Sequence, residues 1–392
     1  MSSAVSIDVL IVGSGPSGIS TALHLVHQDK SWANRILVVD KAIHPREKLC
    51  GGGITHLGQN VLARLGLPIG VPNFEVREVR LVYEKYQYSF YGNPVFRIVR
   101  RDEFDHWLVR TAEEWGITVR QGEAVKDVTV HPDYVEVVTD KGVFHTQLLV
   151  GADGSRSVVR SKLKWDDETR VARLLEVLTP EDARQEVLFR DKVAIFDFTH
   201  LAGGLQGYYW DFPSYVDGQP MMNRGVFDSR AQPSRPKADL KQLLRDSMAE
   251  RGRDLSDYKL KGHPIRWYDK KGKVADHRVI LVGDAAGADP LMGEGIAFAL
   301  GYGVPASEAI REAFARHDFT MRNYSQRLRH HPLFYQLQVR TNLARFAYWL
   351  HYPWLVRLGW QVARLIIRLT PWRSRDFVPA LPPLMVTTRG EP

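Results

Sequence analysis

The sequence predicts an α/β chain, α+β overall, in which a helix-flanked sheet domain is interrupted by a mainly antiparallel β-sheet domain and followed by a helical C-terminal tail. Three observations predict it. A strand, a glycine-rich turn and a helix open the chain; the same succession returns at 277–303; and between about 165 and 264 the pattern is short strands and turns, with no internal repeat.

The opening unit is the most informative. Residues 7–12, IDVLIV, run into Gly-Ser-Gly-Pro-Ser-Gly at 13–18, after which ISTALHLVHQ has helical spacing. A second apolar run, RILVVD at 35–40, ends in an acid 22 residues after Gly18 and completes a βαβ unit. Each residue has a task in a Rossmann-like dinucleotide site. Gly13 makes the tight turn, Gly15 lets a pyrophosphate approach, Gly18 allows the helix to pack on the strand, and Asp40, next to Lys41, accepts from ribose hydroxyls. Pro16 and Ser17 open the helix, whose free N–H groups and dipole favour an anion. One complete fingerprint is present, so a nicotinamide cofactor has no Rossmann domain of its own here.

Further on, residues 96–116 read as a strand end and an amphipathic helix, followed by strand-like ITVRQGEAV, YVEVVTD and VFHTQLLVG and then by ADGSRSVVR. AIFDFTH and GYYWDFP are strand-like, and HRVILVGDAAGADPLMGEGIAFALGYG returns to strand, turn and helix. The interleaving predicts a discontinuous nucleotide domain (1–75, 96–164 and 265–320), a substrate-binding β-sheet domain (76–95 and 165–264) and a helical, Arg-rich region (321–392).

Composition bounds the rest. With 392 residues, 44% hydrophobic and 25% charged, the chain is long enough for two globular units. Its single cysteine, Cys50, excludes an intrachain disulfide, no metal site is expected, and a reducing compartment follows. Residues 1–8 lack the pattern of a signal peptide, so the expectation is the cytoplasm.

The net charge of +8 is concentrated: Phe319 to Arg375 carries ten arginines, no lysine and no acid. Within it, residues 352–375 place Arg357, Gln361, Arg364 and Arg368 on one helical face and Val356, Leu358, Trp360, Val362, Leu365, Ile366 and Leu369 on the remainder. No run approaches the ~20 apolar residues that span a bilayer. This predicts a C-terminal amphipathic helix on a membrane surface, with Trp354, Trp360 and Trp372 at the interface, and a protein peripheral to the membrane. Packing of that helix on its own protein is the alternative, and nucleic acid is not an expected partner.

Three marks together carry a resemblance: GSGPSG with Asp40, GADGSRSVVR with Asp153 and Gly154, and LVGDAAGADPLMGEGI with Gly283 and Asp284. In this order, over roughly residues 7–300, the chain resembles the FAD-dependent (group A type) flavoprotein monooxygenase superfamily. Within it, KLCGGGI at 48–54 and GYYWDFP at 207–213 look like the K-x-C-G-G and Y-x-W-x-F-P motifs of the geranylgeranyl reductase family. The second also resembles the G-W-x-W-x-I-P motif of flavin-dependent halogenases, but their K-x-G-E tetrad is absent.

The resemblance implies FAD as cofactor, with Asp284 at the ribitol or pyrophosphate and the helix beginning near Gly293, Gly295 and Ile296 aimed at the phosphates or the flavin. Arg101 would touch the cofactor, with a surface salt bridge as its alternative, and the Val125 backbone would lie near the adenine. Gly51, Gly52 and Gly53 would lie against the flavin ring with Cys50 beside it, and Lys48 would face the phosphates or solvent. Glu294 stays open between the flavin edge and a helix cap.

Tyr208, Trp210 and Phe212 alternate onto one face of a strand, where they would either wall a substrate pocket or fill sheet core. The expected function is reduction of C=C bonds in a hydrophobic isoprenoid, with electrons from NAD(P)H or another external donor such as a separate reductase or ferredoxin. Cys50 and Tyr208 are the candidate proton donors. An aromatic small-molecule monooxygenase or halogenase-like enzyme is the alternative, and a flavin-binding redox sensor at the membrane is the non-enzymatic one.

Overall fold

The computed structural model describes residues 4–165, 170–350 and 352–369, without the side chains of residues 364 and 366–369. The chain begins with β1 (Val5–Val12), α1 (Pro16–Gln28) and β2 (Ile36–Asp40), then β3 (Gly53–Thr55) and α2 (His56–Arg64). A long hairpin, β4 (Asn73–Tyr83) and β5 (Tyr86–Val99), leads to α3 (Arg101–Glu114), β6 (Thr118–Gln121), β7 (Val125–Val130), β8 (Val135–Thr139), β9 (Val143–Gly151) and α4 (Val158–Lys162). Next come β10 (Val171–Pro180), α5 (Val187–Arg190), β11 (Val193–Asp197), β12 (Gly207–Val216), β13 (Gln219–Asp228), α6 (Leu240–Ala249) and β14 (Lys261–Arg266). The chain closes with β15 (Ala275–Asp276), β16 (Val279–Leu281), α7 (Ile296–Arg316), α8 (Arg322–His330), α9 (Pro332–Ala347) and α10 (Pro353–Leu369).

These strands form two eight-stranded sheets. The first runs β15-β16-β9-β1-β2-β6, with β7 and β8 attached through β9, and its central pairs are parallel. Val9, Leu10 and Ile11 of β1 are fully buried, as expected for a central strand covered on both faces. The second runs β14-β10-β13-β12-β11-β4-β5-β3 and is antiparallel except for β11 against β4. It takes in the β4–β5 hairpin whole, from the Asn73–Val99 pair to the Tyr83–Tyr86 pair, and adds β3 at its edge. Its outer face is covered by α6, where Leu240, Leu244 and Met248 meet Val177, Tyr209 and Val226.

The tail packs on the molecule and also projects from it. Leu333, Phe334, Leu337 and Ala344 of α9 are buried. In α10, Val356 is buried and the half-buried Trp360 lies 5.6 Å from Tyr83, 5.6 Å from Tyr88 and 5.5 Å from Phe198 between ring centroids. This corrects the expectation of Trp360 at an interface: aromatic partners on β4 and β5 capture its ring. Arg357 turns to Glu84, with Nε–Oε2 2.9 Å and Nη2–Oε1 3.0 Å. Outward, Tyr335, Val339, Leu343 and Phe346 of α9 are exposed, and so are Trp354, Leu358, Val362 and Leu365 of α10. Trp372 lies outside the described residues, as do the side chains of Arg364, Ile366, Arg368 and Leu369.

Candidate active site

A cavity of about 900 Å³ lies between the two sheets and receives residues from both. One end is built by the β1–α1 turn. Gly13 has φ of +111°, and a Cβ there would lie 2.3 Å from Ala152 O, so the turn tolerates no side chain. A Cβ on Gly18 would lie 2.0 Å from Gly13 O, and Gly18 is the one expected cofactor residue not in the lining; its part is helix–strand packing. Gly15 differs: its Cβ position faces the cavity, 3.8 Å from Arg46 Nη2. As the α1 N-cap it carries no side-chain cap, which leaves helix N–H groups near Pro16 and Ser17 for a ligand. Asp40 accepts from Ser14 N and Ser14 Oγ at 2.7 Å each and from Ala42 N at 2.8 Å, and it lines the cavity with Lys41 and Val125.

Positive charge gathers beside this turn. Arg101 holds Asp105 through Nε–Oδ1 and Nη2–Oδ2 bonds of 2.8 Å each, and Arg46 Nη2 reaches the same carboxylate at 3.0 Å. Two guanidinium groups therefore share one fully buried carboxylate, which leaves a net cation at the cavity wall. Burial opposes the Arg101 charge, but Asp105 and Cys50 outweigh it and raise its pKa. The ion pair is buried at the cavity wall, which corrects the alternative of a surface salt bridge. Lys48 Nζ lies 2.7 Å from His263 Nε2. Burial first, then neighbouring Arg101 and Arg46, lower Lys48 to about 8 against the pull of Asp284. Burial and Lys48 hold His263 down at about 3, so its neutral ring accepts from the ammonium.

The glycine run is fixed by the second sheet. Gly52 has φ of +77°, its carbonyl accepts from Val99 N at 3.0 Å, and a Cβ on it would lie 2.1 Å from Val99 O. A Cβ on Gly51 would lie 3.1 Å from the Phe212 ring. Asn223 Nδ2 donates to Cys50 O at 3.1 Å while its Oδ1 accepts from Trp210 Nε1 at 2.8 Å. Behind them Glu176 is 3% exposed, and burial raises it to about 7 although Arg100 and Asn223 pull the other way.

At the opposite wall, Asp289 accepts from Leu291 N at 2.8 Å and shapes the turn that carries Gly293 and Gly295 into Ile296 of α7. Gly295 caps α7 without a side-chain bond, so a second helix N-terminus meets the cavity, near Asp284. Glu294 accepts from Thr55 Oγ1 at 2.5 Å and from Arg340 Nη1 at 2.6 Å, which places this carboxylate at the cavity wall in an ion pair.

The far end is aromatic. Tyr208, Trp210 and Phe212 share one face of β12 and line the cavity with Phe196 and Phe227. Tyr208 donates its hydroxyl hydrogen to Met292 O at 2.5 Å, and burial raises its pKa well above the ordinary value. His263, Glu176 and Arg340 escaped the sequence reading because no local motif marks them; they meet the motifs only through the fold.

The residues fit a dinucleotide with a flat ring. The glycine turn, two open helix ends and surplus cations suit a diphosphate. Asp153 lines the cavity with a buried Oδ1 that has no partner among the described residues, as a site for a ligand hydroxyl requires. Gly51 and Gly52 offer backbone to a ring.

Residues 6–302 match the family model described as "FAD binding domain". The chain is 29% identical over 345 residues to menaquinone reductase of Mycobacterium tuberculosis, covering 78% of this chain and 76% of the relative. It is 25% identical over 341 residues to digeranylgeranylglycerophospholipid reductase 2 of Methanosphaera stadtmanae, covering 82% of each. The fold is shared with a geranylgeranyl bacteriochlorophyll reductase-like protein from Thermoplasma acidophilum, with a TM-score of 0.68 and 20% identity over 90% of this chain and 92% of that one.

Proposed function

Because the chain belongs to the FAD binding domain family and so to the FAD-dependent oxidoreductases, we propose that it reduces carbon–carbon double bonds of a polyprenyl lipid. One observation carries the reading: the cationic glycine-lined end of the cavity opens directly into the aromatic wall of Phe196, Tyr208, Trp210, Phe212 and Phe227. A flavin seated at the first end would meet an apolar chain at the second. Two relatives that align over most of their length are named as reductases, one of a geranylgeranyl lipid and one of menaquinone.

FAD, when bound and reduced by NAD(P)H or by a separate reductase or ferredoxin, supplies the hydride. Arg46, Arg101 and the α1 N-terminus would hold the diphosphate, Asp40 and Asp153 the hydroxyls, and Gly51 and Gly52 the ring. The aromatic wall orients the chain and excludes water, which an unactivated double bond needs because it accepts hydride poorly. Hydride adds to one carbon and a proton to the other as the π bond breaks. Tyr208 donates its hydroxyl hydrogen to Met292 O, so the proton is assigned instead to the thiol of Cys50, which lines the cavity.

The test is anaerobic incubation of the chemically reduced holoprotein with a geranylgeranyl lipid, followed by mass spectrometry. Gain of two hydrogens per double bond is expected. Turnover only with oxygen, and its incorporation into product, would assign the protein to the hydroxylases instead; reduced protein that passes electrons to no lipid, quinone or oxygen would support the redox-sensor reading.

A further inference from the structure

We propose that α9 and α10 form a docking face for an anionic lipid bilayer. The two helices repeat one pattern: exposed apolar residues at i, i+4, i+8 and i+11, beginning at Tyr335 on α9 and at Trp354 on α10. Exposed Trp349 and Tyr352 link the two stripes across the turn. Of the sixteen large hydrophobic residues exposed among the described residues, ten lie between Tyr335 and Leu365. Single exposed hydrophobics are ordinary, but a contiguous concentration marks an interaction surface.

The occupant follows from charge. From Phe319 to Arg375 the chain carries ten arginines and no acid, and Arg322, Arg329 and Arg345 are exposed, while Arg357 is paired with Glu84. Apolar stripes with aromatic members, in a segment that carries arginines and no acid of its own, match acyl chains below a layer of anionic headgroups. A second copy of this chain would set arginine against arginine on the same face. The inner side of the same region reaches toward the aromatic end of the cavity: Trp360 meets Phe198, which meets the cavity-lining Tyr208, and Val356 and Tyr348 belong to the same buried cluster. A bilayer on the outer side thus lies next to the end of the cavity that takes the apolar chain. Among the described residues no helix is long and apolar enough to cross a membrane, so the contact is lateral. The face does not rest on the substrate reading, since its residues stand outside the cavity.

The experiment is cosedimentation of the FAD-loaded full chain with phosphatidylcholine vesicles containing, or lacking, about one third phosphatidylglycerol. Binding to the anionic vesicles, weakened by salt, is expected. The double variant Leu343→Asp, Phe346→Asp should lose at least about tenfold in bound fraction while keeping its flavin absorbance, because both side chains are exposed. Equal binding by the variant, or no binding by the wild type, overturns the proposal. A dimer in solution that the double variant breaks would assign the face to a second copy, and binding that appears only after removal of residues 370–392 would assign it to that segment. Turnover of a detergent-dispersed lipid tests the reductase reading separately.

Discussion

Arg340 Nη1 stands 2.6 Å from Glu294 Oε2, and the same nitrogen reaches Asp289 Oδ2 at 2.8 Å. A residue of the C-terminal α9 thereby holds the turn that presents Gly293 and Gly295 to the cavity. Asp289 is fully buried and Glu294 nearly so, hence removing the cation strands two carboxylates. Arg340→Met should cost about 3–5 kcal/mol and lower flavin content, with Arg340→Lys between it and the wild type. Thermal melting and the flavin-to-protein absorbance ratio read both. Full flavin content in the Met variant would show that the turn keeps its shape without its cation.

Gly15 and Gly18 stand three residues apart and should fail differently. Gly15→Ala adds a methyl that meets open cavity, so the apoprotein should melt as the wild type does while FAD affinity falls at least about tenfold. Gly18→Ala drives its methyl against Gly13 O and should cost about 1–3 kcal/mol of stability before any ligand is added. Titration of FAD into each apoprotein, beside its melting curve, separates the two.

Glu176 predicts a pH dependence. Its ordinary value of 4.5 is raised to about 7 by burial, so between these limits the folded chain keeps a proton that the unfolded chain releases. Stability from this group is fully present below 4.5 and is lost as pH rises through about 7, a loss on the order of 3 kcal/mol. Glu176→Gln should therefore flatten the melting temperature across that window. A variant that tracks the wild type from pH 5 to 8 would assign the titration elsewhere.

Tyr208 differs from Cys50 in that its hydroxyl hydrogen is committed to the Met292 carbonyl. Tyr208→Phe removes one bond to Met292 O, worth about 1 kcal/mol, and should leave turnover within about tenfold. Cys50→Ala should keep FAD, because Gly51, Gly52 and Asn223 hold the segment through backbone, yet lose on the order of a hundredfold in the rate of lipid reduction. The reverse ranking would return the proton to the phenol.

The nucleotide end of the site was legible because its glycines and Asp40 act at fixed local spacing, where steric demand writes itself into residue type. The aromatic strand was legible for the same reason, through its period of two. What escaped lies between distant segments: Lys48 and His263 are 215 residues apart, and Arg340 is 46 residues from Glu294. Neither pair has a local signature. The tail helix was legible as amphipathic, but its division was not. Trp360 turns inward because Tyr83, Tyr88 and Phe198 offer it a ring pocket, and no feature of the helix itself announces that.

Gly52 belongs by sequence to the segment after the first βαβ unit, yet Val99 and, through Cys50, Asn223 of the second sheet fix its place. The seat proposed for the flavin ring is thus joint property of both halves, and neither half excised alone would retain it. Exchanging the β-sheet insertion between relatives would not simply swap a substrate pocket on a constant flavin; it would change cofactor pose and substrate choice in a single step, so in this architecture the two traits are inherited together.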